Sequence, residues 1–305
     1  GPLSSYFDVT KQDTYFGEKT WEQSERRMQQ IALDTLAKKA SIKKSDFGLV
    51  FSGDLLNQCI GSSFTLRNTK IPHIGLYGAC STAVEGIILA AATVSAGYFK
   101  TAAAVTSSHY CSAERQYRSP VEYGAQRSPT AQWTATAAGA FMLRKNGSVR
   151  VREALPGIVV EKGISDASNM GAAMAPAAAD TILRYFRESG ASPEDFDAIV
   201  TGDLGKEGAS ILCELLLSEG LDIRDQHKDC GVLIYDIERQ DKHAGGSGCG
   251  CSAAVLASLF IPQLERGEIR DILAIGTGAM MSPASIQQGQ AIPAIAHLIR
   301  LSHEN

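Results

Sequence analysis

No apolar run in this 305-residue chain is long enough to cross a bilayer. The longest, over residues 82–96, carries Glu85 and is broken by Gly86 and Ser95, short of the ~20 apolar residues a membrane helix needs. Charge of one sign is equally scarce. Lysine and arginine number 29 against 33 aspartates and glutamates, a formal charge of -4, so the whole chain offers no footprint for wrapping nucleic acid. Residues 1–30 are polar and show no signal peptide. Cysteine occurs seven times, an odd and irregularly spaced set that fits an intracellular setting better than a disulfide framework. Cys249 and Cys251 stand too close for a zinc knuckle and no second pair follows, so no metal site is expected. Neither a GxGxxG turn nor a phosphate-cradling Walker loop occurs, and Gly245-Gly246-Ser247-Gly248 is a lone glycine cluster.

What is present is a duplication, in a chain that is 44% hydrophobic. DFGLVFSGDL, beginning at Asp46, returns as DFDAIVTGDL at Asp195, 149 residues later, each a short buried strand ending in a Gly-Asp turn. GYFKTAAAVTSS at Gly97 returns as GEIRDILAIGTG at Gly267, 170 residues later. A small-residue helix precedes each second landmark, at 81–96 and 251–266, and the 149 offset carries an amphipathic helix at 171–188 back onto 22–39. Alternating helices and strands predict parallel sheets with right-handed crossovers, an α/β fold of two like halves, 1–145 and 146–305. Residues 149–160 read as the opening strand of the second half; the same offset lands on the extreme N-terminus, so the first half is expected to lack that strand. A polar, aromatic insertion at about 109–137 is expected to run over the surface or a partner subunit. The Ala-rich run 171–180 is expected to pack its helix on its symmetry mate in a middle layer. Trp21 and Trp133 read either as partner anchors or as packing.

The sharpest local signal is YGACST at 77–82, just ahead of a helix. A thiol at such a turn faces the positive helix end and unpaired backbone N–H groups, which favour thiolate or an anion, so Cys80 is either a nucleophile, an anion contact or a buried small residue. Asp54 and Asp203 end the repeated strands, and Gly-Asp-Leu before a helix also fits a plain N-cap. His109 closes a buried strand, as a ligand contact or a satisfied core histidine. Arg115, Arg118 and Arg127 offer forks for carboxylates, with a salt-bridged face or dimer contact as the equal alternative.

A duplicated α/β half with cysteine at the turn into a central small-residue helix resembles the thiolase fold, layered α-β-α-β-α. More narrowly, GDLLNQ at 53–58, YGACST at 77–82, AERQYR at 113–118, EYGAQ at 122–126, MAPAAADT at 174–181, DCGVLIY at 229–235 and AGGSGC at 244–249 together resemble the stage V sporulation protein AD family. That similarity runs over essentially the whole chain, although the family's leading segment has no counterpart. The resemblance implies a protein of endospore formers, peripheral to the spore and forespore inner membrane through other proteins of one transport system. It further implies binding of dipicolinic acid, alone or as its calcium chelate, a role in transport and spore germination, no cofactor of its own, and a homodimer. Aligned on condensing enzymes, Ser247 falls where thiolases carry a His and Gly250 where initiating synthases carry an Asn; neither is a base, and His243 is a weak substitute. Asp203 stands near the other expected imidazole. Condensation is therefore expected to be lost, leaving Cys80, Asp54, His109, Arg115, Asp203 and Ser247 as ligand-binding candidates around a shared centre. The alternatives are acyl transfer from a coenzyme A thioester onto Cys80, and a scaffold.

Overall fold

The central strands are near-continuous apolar or small-residue runs, such as LVFSG, TAAAVTSS and DILAIGTGA, the pattern of strands covered on both faces. The computed structural model describes residues 1–117 and 127–304. Its first half runs α1 (Trp21–Lys39), β1 (Leu49–Gly53), α2 (Ile60–Leu66), β2 (His73–Gly75), α3 (Thr82–Ser95), β3 (Thr101–Ser108), α4 (Tyr110–Tyr117), β4 (Trp133–Thr134) and β5 (Ala137–Arg144). The second half continues with β6 (Val149–Leu155), α5 (Met170–Ser189), β7 (Ala198–Thr201), α6 (Gly205–Ser218), β8 (His227–Asp229), α7 (Cys230–Leu233) and β9 (Gly246–Ser247). It ends with α8 (Cys249–Val255), α9 (Ile261–Glu265), β10 (Asp271–Ala279), α10 (Pro283–Gln287) and β11 (Ala294–His303).

One sheet has the order β2-β1-β3-β5 and the other β8-β7-β10-β11-β6. The repeat offsets place β1 on β7 and β3 on β10, so the two orders coincide until β6, which has no counterpart among the described residues. In both sheets three repeat strands, counted inward from the β2 or β8 edge, pair in parallel and the following strand turns back antiparallel. Helices α3 and α8 lie between the sheets and touch each other; α1 and α2 cover the first sheet, α5 and α6 the second. The result is the α-β-α-β-α stack. The predicted helix at 251–266 is continuous from α8 to α9 through a π turn, Leu256–Phe260, with Pro262 just beyond it.

Two expectations change. The Ala-rich helix α5 is in an outer layer, packed on α6, β10 and β11 rather than on a symmetry mate in the middle. The small residues there serve close approach to α6: a Cβ on Gly171 would stand 2.5 Å from the Leu204 carbonyl oxygen. The insertion does not simply skirt the surface either, since Ala113, Ala131, Gln132 and Thr134 are buried. Its short strand β4 pairs with β9, and Gln132 Nε2 donates to the Asp203 and Gly246 carbonyls at 2.6 and 2.8 Å. Buried backbone carbonyls need such donors, and the insertion supplies them.

Candidate functional site

Cys80 sits where β2 gives way to α3, after Ala79, a non-glycine residue at φ +50°. The turn satisfies itself. Ser81 donates from both N–H and Oγ to the Gly78 carbonyl at 3.1 and 2.6 Å, Thr82 Oγ1 donates to Ala79 O at 2.7 Å, and Gly78 N donates to Thr82 Oγ1 at 2.9 Å. Two of the N–H groups expected to be free at this helix end, those of Ser81 and Thr82, are thus turned back onto Gly78 O and Ala79 O. The thiol is 6% exposed and packs with Leu55, Ala113, Cys249 and Tyr117. Its sulfur lies 3.8 Å from Ser247 Oγ, which in turn donates to Asp203 Oδ2 at 3.2 Å. Burial first, then the neighbouring Asp203 and Cys249, push the thiol well above its ordinary range. The thiolate predicted from the helix dipole is therefore overridden by desolvation.

Asp203 is buried behind the sulfur. Its Oδ1 accepts from Thr277 Oγ1 at 2.8 Å and its Oδ2 from Gly248 N at 2.8 Å and Ser247 Oγ at 3.2 Å. Burial outweighs these donors and raises the carboxyl to about 7. It does not cap α6: that task falls to Asp229, which accepts from Leu204 N and Gly205 N at 2.9 and 3.0 Å. Asp54 does behave as the cap expected of it, accepting from Leu56 N at 3.0 Å and from Ser62 N and Oγ at 2.7 and 2.6 Å at the start of α2. Burial raises its carboxyl as well. The two repeat-related acids do not meet over the thiol. Asp203 does so, while Asp54 faces Glu25, a buried acid of α1 that sequence reasoning missed. Glu25 accepts from Ser107 Oγ at 3.0 Å and Ser112 Oγ at 2.6 Å, and burial followed by repulsion from Asp54 lifts it to about 8. Its helical phase with buried Met28, Gln29 and Leu33 was the available signal.

The remaining candidates are engaged elsewhere. His109 Nε2 donates to Thr14 O at 2.8 Å, its Nδ1 accepts from Cys111 N at 3.2 Å, and burial keeps the ring neutral. It is a satisfied core histidine beside Trp21. Arg115 pairs with Glu22 on the surface. Arg127 is buried, 3.3 Å from Glu114, with its guanidinium 3.8 Å from the Trp133 ring centre. Arg118 and the EYGAQ segment lie outside the described residues. His243 donates from Nδ1 to Ser128 O at 2.9 Å with Nε2 beside Asp241. The other four histidines bond Ser52, Thr201, Gly157 N and Leu264 O, so each of the six has a partner other than Cys80. A tyrosine pair went unforeseen: Tyr77 and Tyr117 join hydroxyls, and Tyr117 also donates to Leu55 O at 2.9 Å beside the sulfur. Among the described residues, no group of three or more His, Cys, Asp or Glu is able to hold a metal ion, and no helix is long and apolar enough to cross a membrane.

Stack, duplication and cysteine turn together define a thiolase-fold protein. Solved structures of that fold superpose over most of the chain. They include 3-oxoacyl-(acyl carrier protein) synthase III of Pseudomonas aeruginosa PAO1, with TM-score 0.59, 14% identity, and 99% of this chain and 89% of that one covered. The synthase III of Aquifex aeolicus VF5 gives 0.55 at 10% identity, covering 97% and 86%. A single-residue variant of Xanthomonas campestris OleA, solved with cerulenin, gives 0.60 at 15%, covering 90% and 79%. Within the fold, the model of the Stage V sporulation protein AD family matches residues 1–302, and Stage V sporulation protein AD of Bacillus subtilis (strain 168) is 42% identical over 298 residues, 97% of this chain and 88% of the relative. The chain belongs to the Stage V sporulation protein AD family.

Proposed function

We propose that this sporulation protein is a non-catalytic thiolase-fold binder of dipicolinic acid. In this reading it serves uptake of that acid into the developing spore as a peripheral member of a membrane transport assembly at the inner membrane. The observation that carries the reading is that each of the six histidines is bonded to a partner other than the Cys80 thiol. A condensing cysteine needs a base that takes its proton; here the sulfur meets the Ser247 hydroxyl, and burial holds the thiol well above its ordinary range. A protonated Asp203 also spares a dianionic ligand a like charge, and Ser247, Tyr77 and Tyr117 supply hydroxyls. Asp54, His109 and Arg115, bonded elsewhere, are not part of the proposed contact set. Both acids spend their oxygens on internal donors, so Ca²⁺, when present, travels as part of the ligand rather than on a resident site.

Calorimetric titration with dipicolinate, with and without Ca²⁺, is expected to give saturable heat that Ser247→Ala weakens. Absence of heat in both titrations, or an acetyl adduct on Cys80 after mixing with acetyl-coenzyme A as seen by intact mass, overturns the reading in favour of a scaffold or an acyl-transfer enzyme respectively.

The homodimer is proposed through the free edge of β2. That edge carries Ile74, 46% exposed, with exposed Tyr77 close by and exposed Ile60 and Phe64 on the adjoining α2. The repeat-equivalent edge, β8, reads His-Lys-Asp instead. An apolar edge strand invites antiparallel pairing with its own copy about a two-fold axis. Ile74→Lys is expected to shift sedimentation from dimer to monomer; a variant that sediments like the parent removes β2 as the interface.

A further inference from the structure

Although the whole chain is slightly acidic, one corner is basic. Where β3 begins, a surface cleft of about 410 Å³ is lined by Phe99, Lys100, Thr101, Arg144, Lys145 and Asn146. Thr101 and Arg144 face each other across the β3–β5 pair, and Arg144 Nε donates to Asn146 O at 2.8 Å to shape the rim. The Lys44–Asp46 turn abuts it through Thr101 Oγ1, which donates to Asp46 O at 2.8 Å. Lys38, Lys43, Lys100, Arg144 and Lys145 are all exposed and form no ion pair among the described residues, whereas Lys39 and Lys44 pair with Asp8 and Asp34. Beside the cleft stands Tyr98, 80% exposed.

The second half is an internal control on the same scaffold. By the repeat offsets, Lys43 and Lys44 become Ser192 and Pro193, Tyr98 becomes Glu268, and Thr101 becomes Asp271. Lys100 becomes Arg270, which is likewise exposed, while Arg266 pairs with Glu268 and Arg300 with Asp271. The second half thus sets its one unpaired cation among acids, whereas the first half keeps several exposed cations together, with an aromatic ring in place of an acid.

We propose that this corner docks the protein directly on an anionic lipid surface. Lys100, Arg144 and Lys145 face lipid phosphates, the cleft admits a headgroup, and Tyr98 sits at headgroup level. An amphipathic ring flanked by long cationic side chains suits that interface better than an acidic protein, where a fully exposed tyrosine needs a pocket to fill. The inference is independent of the dipicolinate reading. The cleft lies at the start of β3, while Ser108 at its other end touches the α8 turn, roughly 23 Å away at about 3.3 Å per residue. Docking thus leaves the Cys80 region uncovered.

Vesicle flotation of the full chain tests it. The protein is expected to float with phosphatidylcholine vesicles containing phosphatidylglycerol and not with phosphatidylcholine alone, and to detach as salt rises. Combining Lys100→Glu, Arg144→Glu and Lys145→Glu is expected to weaken partitioning about a hundredfold or more, at about fivefold per cation. The matched set Arg187→Glu, Arg266→Glu and Arg270→Glu is expected to leave it unchanged. Should the triple reversal not fold, Lys100→Gln with Lys145→Gln and the salt titration of the parent decide the matter. No flotation of the parent, equal loss in the matched set, or capture of an acidic protein through these cations without lipid binding overturns the proposal. A dipicolinate titration unaltered in the triple variant keeps the two readings separate.

Discussion

Raising the pH from about 5 to about 8.5 is expected to lower the melting temperature of the parent chain, and Glu25→Gln is expected to remove much of that fall. Glu25 is held at about 8 in the folded protein against an ordinary 4.5. Between those values the unfolded chain has released the proton that the folded chain still binds. Unfolding therefore releases protons, and stability declines with rising pH across that window. The stabilising contribution is complete below 4.5 and gone above about 8. The full difference corresponds to on the order of 5 kcal/mol, or about 10 °C in a domain of this size. Asp203, raised to about 7, acts in the same direction and leaves a residual slope in the variant. Glutamine keeps the shape and hydrogen-bonding capacity between Ser107 and Ser112, so the variant is expected to melt above the parent at pH 8.5. Melting curves across pH check this; a parent whose melting temperature holds or rises over the window, or a variant with the parent's slope, contradicts it.

Gly250→Ala is expected to cost about 3 kcal/mol or more. A Cβ there would lie 2.1 Å from the Ala137 carbonyl oxygen and 2.6 Å from Ser108 N, backbone atoms of β5 and β3 that have no room to retreat. Gly250→Asn, which places the amide where initiating synthases carry theirs, is expected to unfold the centre rather than restore condensation. The first turn of α8 has closed onto the sheet, so the missing group cannot be supplied by one substitution. Urea unfolding midpoints measure the cost, and a Gly250→Ala protein within about 0.5 kcal/mol of the parent refutes the steric argument.

Sequence reading succeeded where the signal was periodic or repeated. The two Gly-Asp strand ends, the small-residue helices and the shared strand order follow from short motifs whose register the pleat and the crossover rules constrain. Cys80 was legible because a thiol before a helix is locally unusual. Its environment was not. The proton affinity of that sulfur depends on Asp203, more than a hundred residues away in the chain, and on desolvation that no local window reports. Glu25 was hidden for a similar reason: in a charged helix it reads as solvated, and only the approach of Ser107 and Ser112 makes it an interior acid. The equivalence of Asp54 and Asp203 predicted like roles, yet Asp229 took over the cap in the second half and freed Asp203 for the thiol.

The interior acids also alter how the molecule appears from outside. The formal charge of -4 counts every carboxylate as ionised. Glu25, at about 8, keeps its proton at neutral pH, and Asp203, at about 7, keeps it part of the time. At neutral pH the folded protein is therefore expected to migrate in an electric field as a less anionic particle than its composition implies, the missing charge returning on unfolding or as the pH rises past about 8.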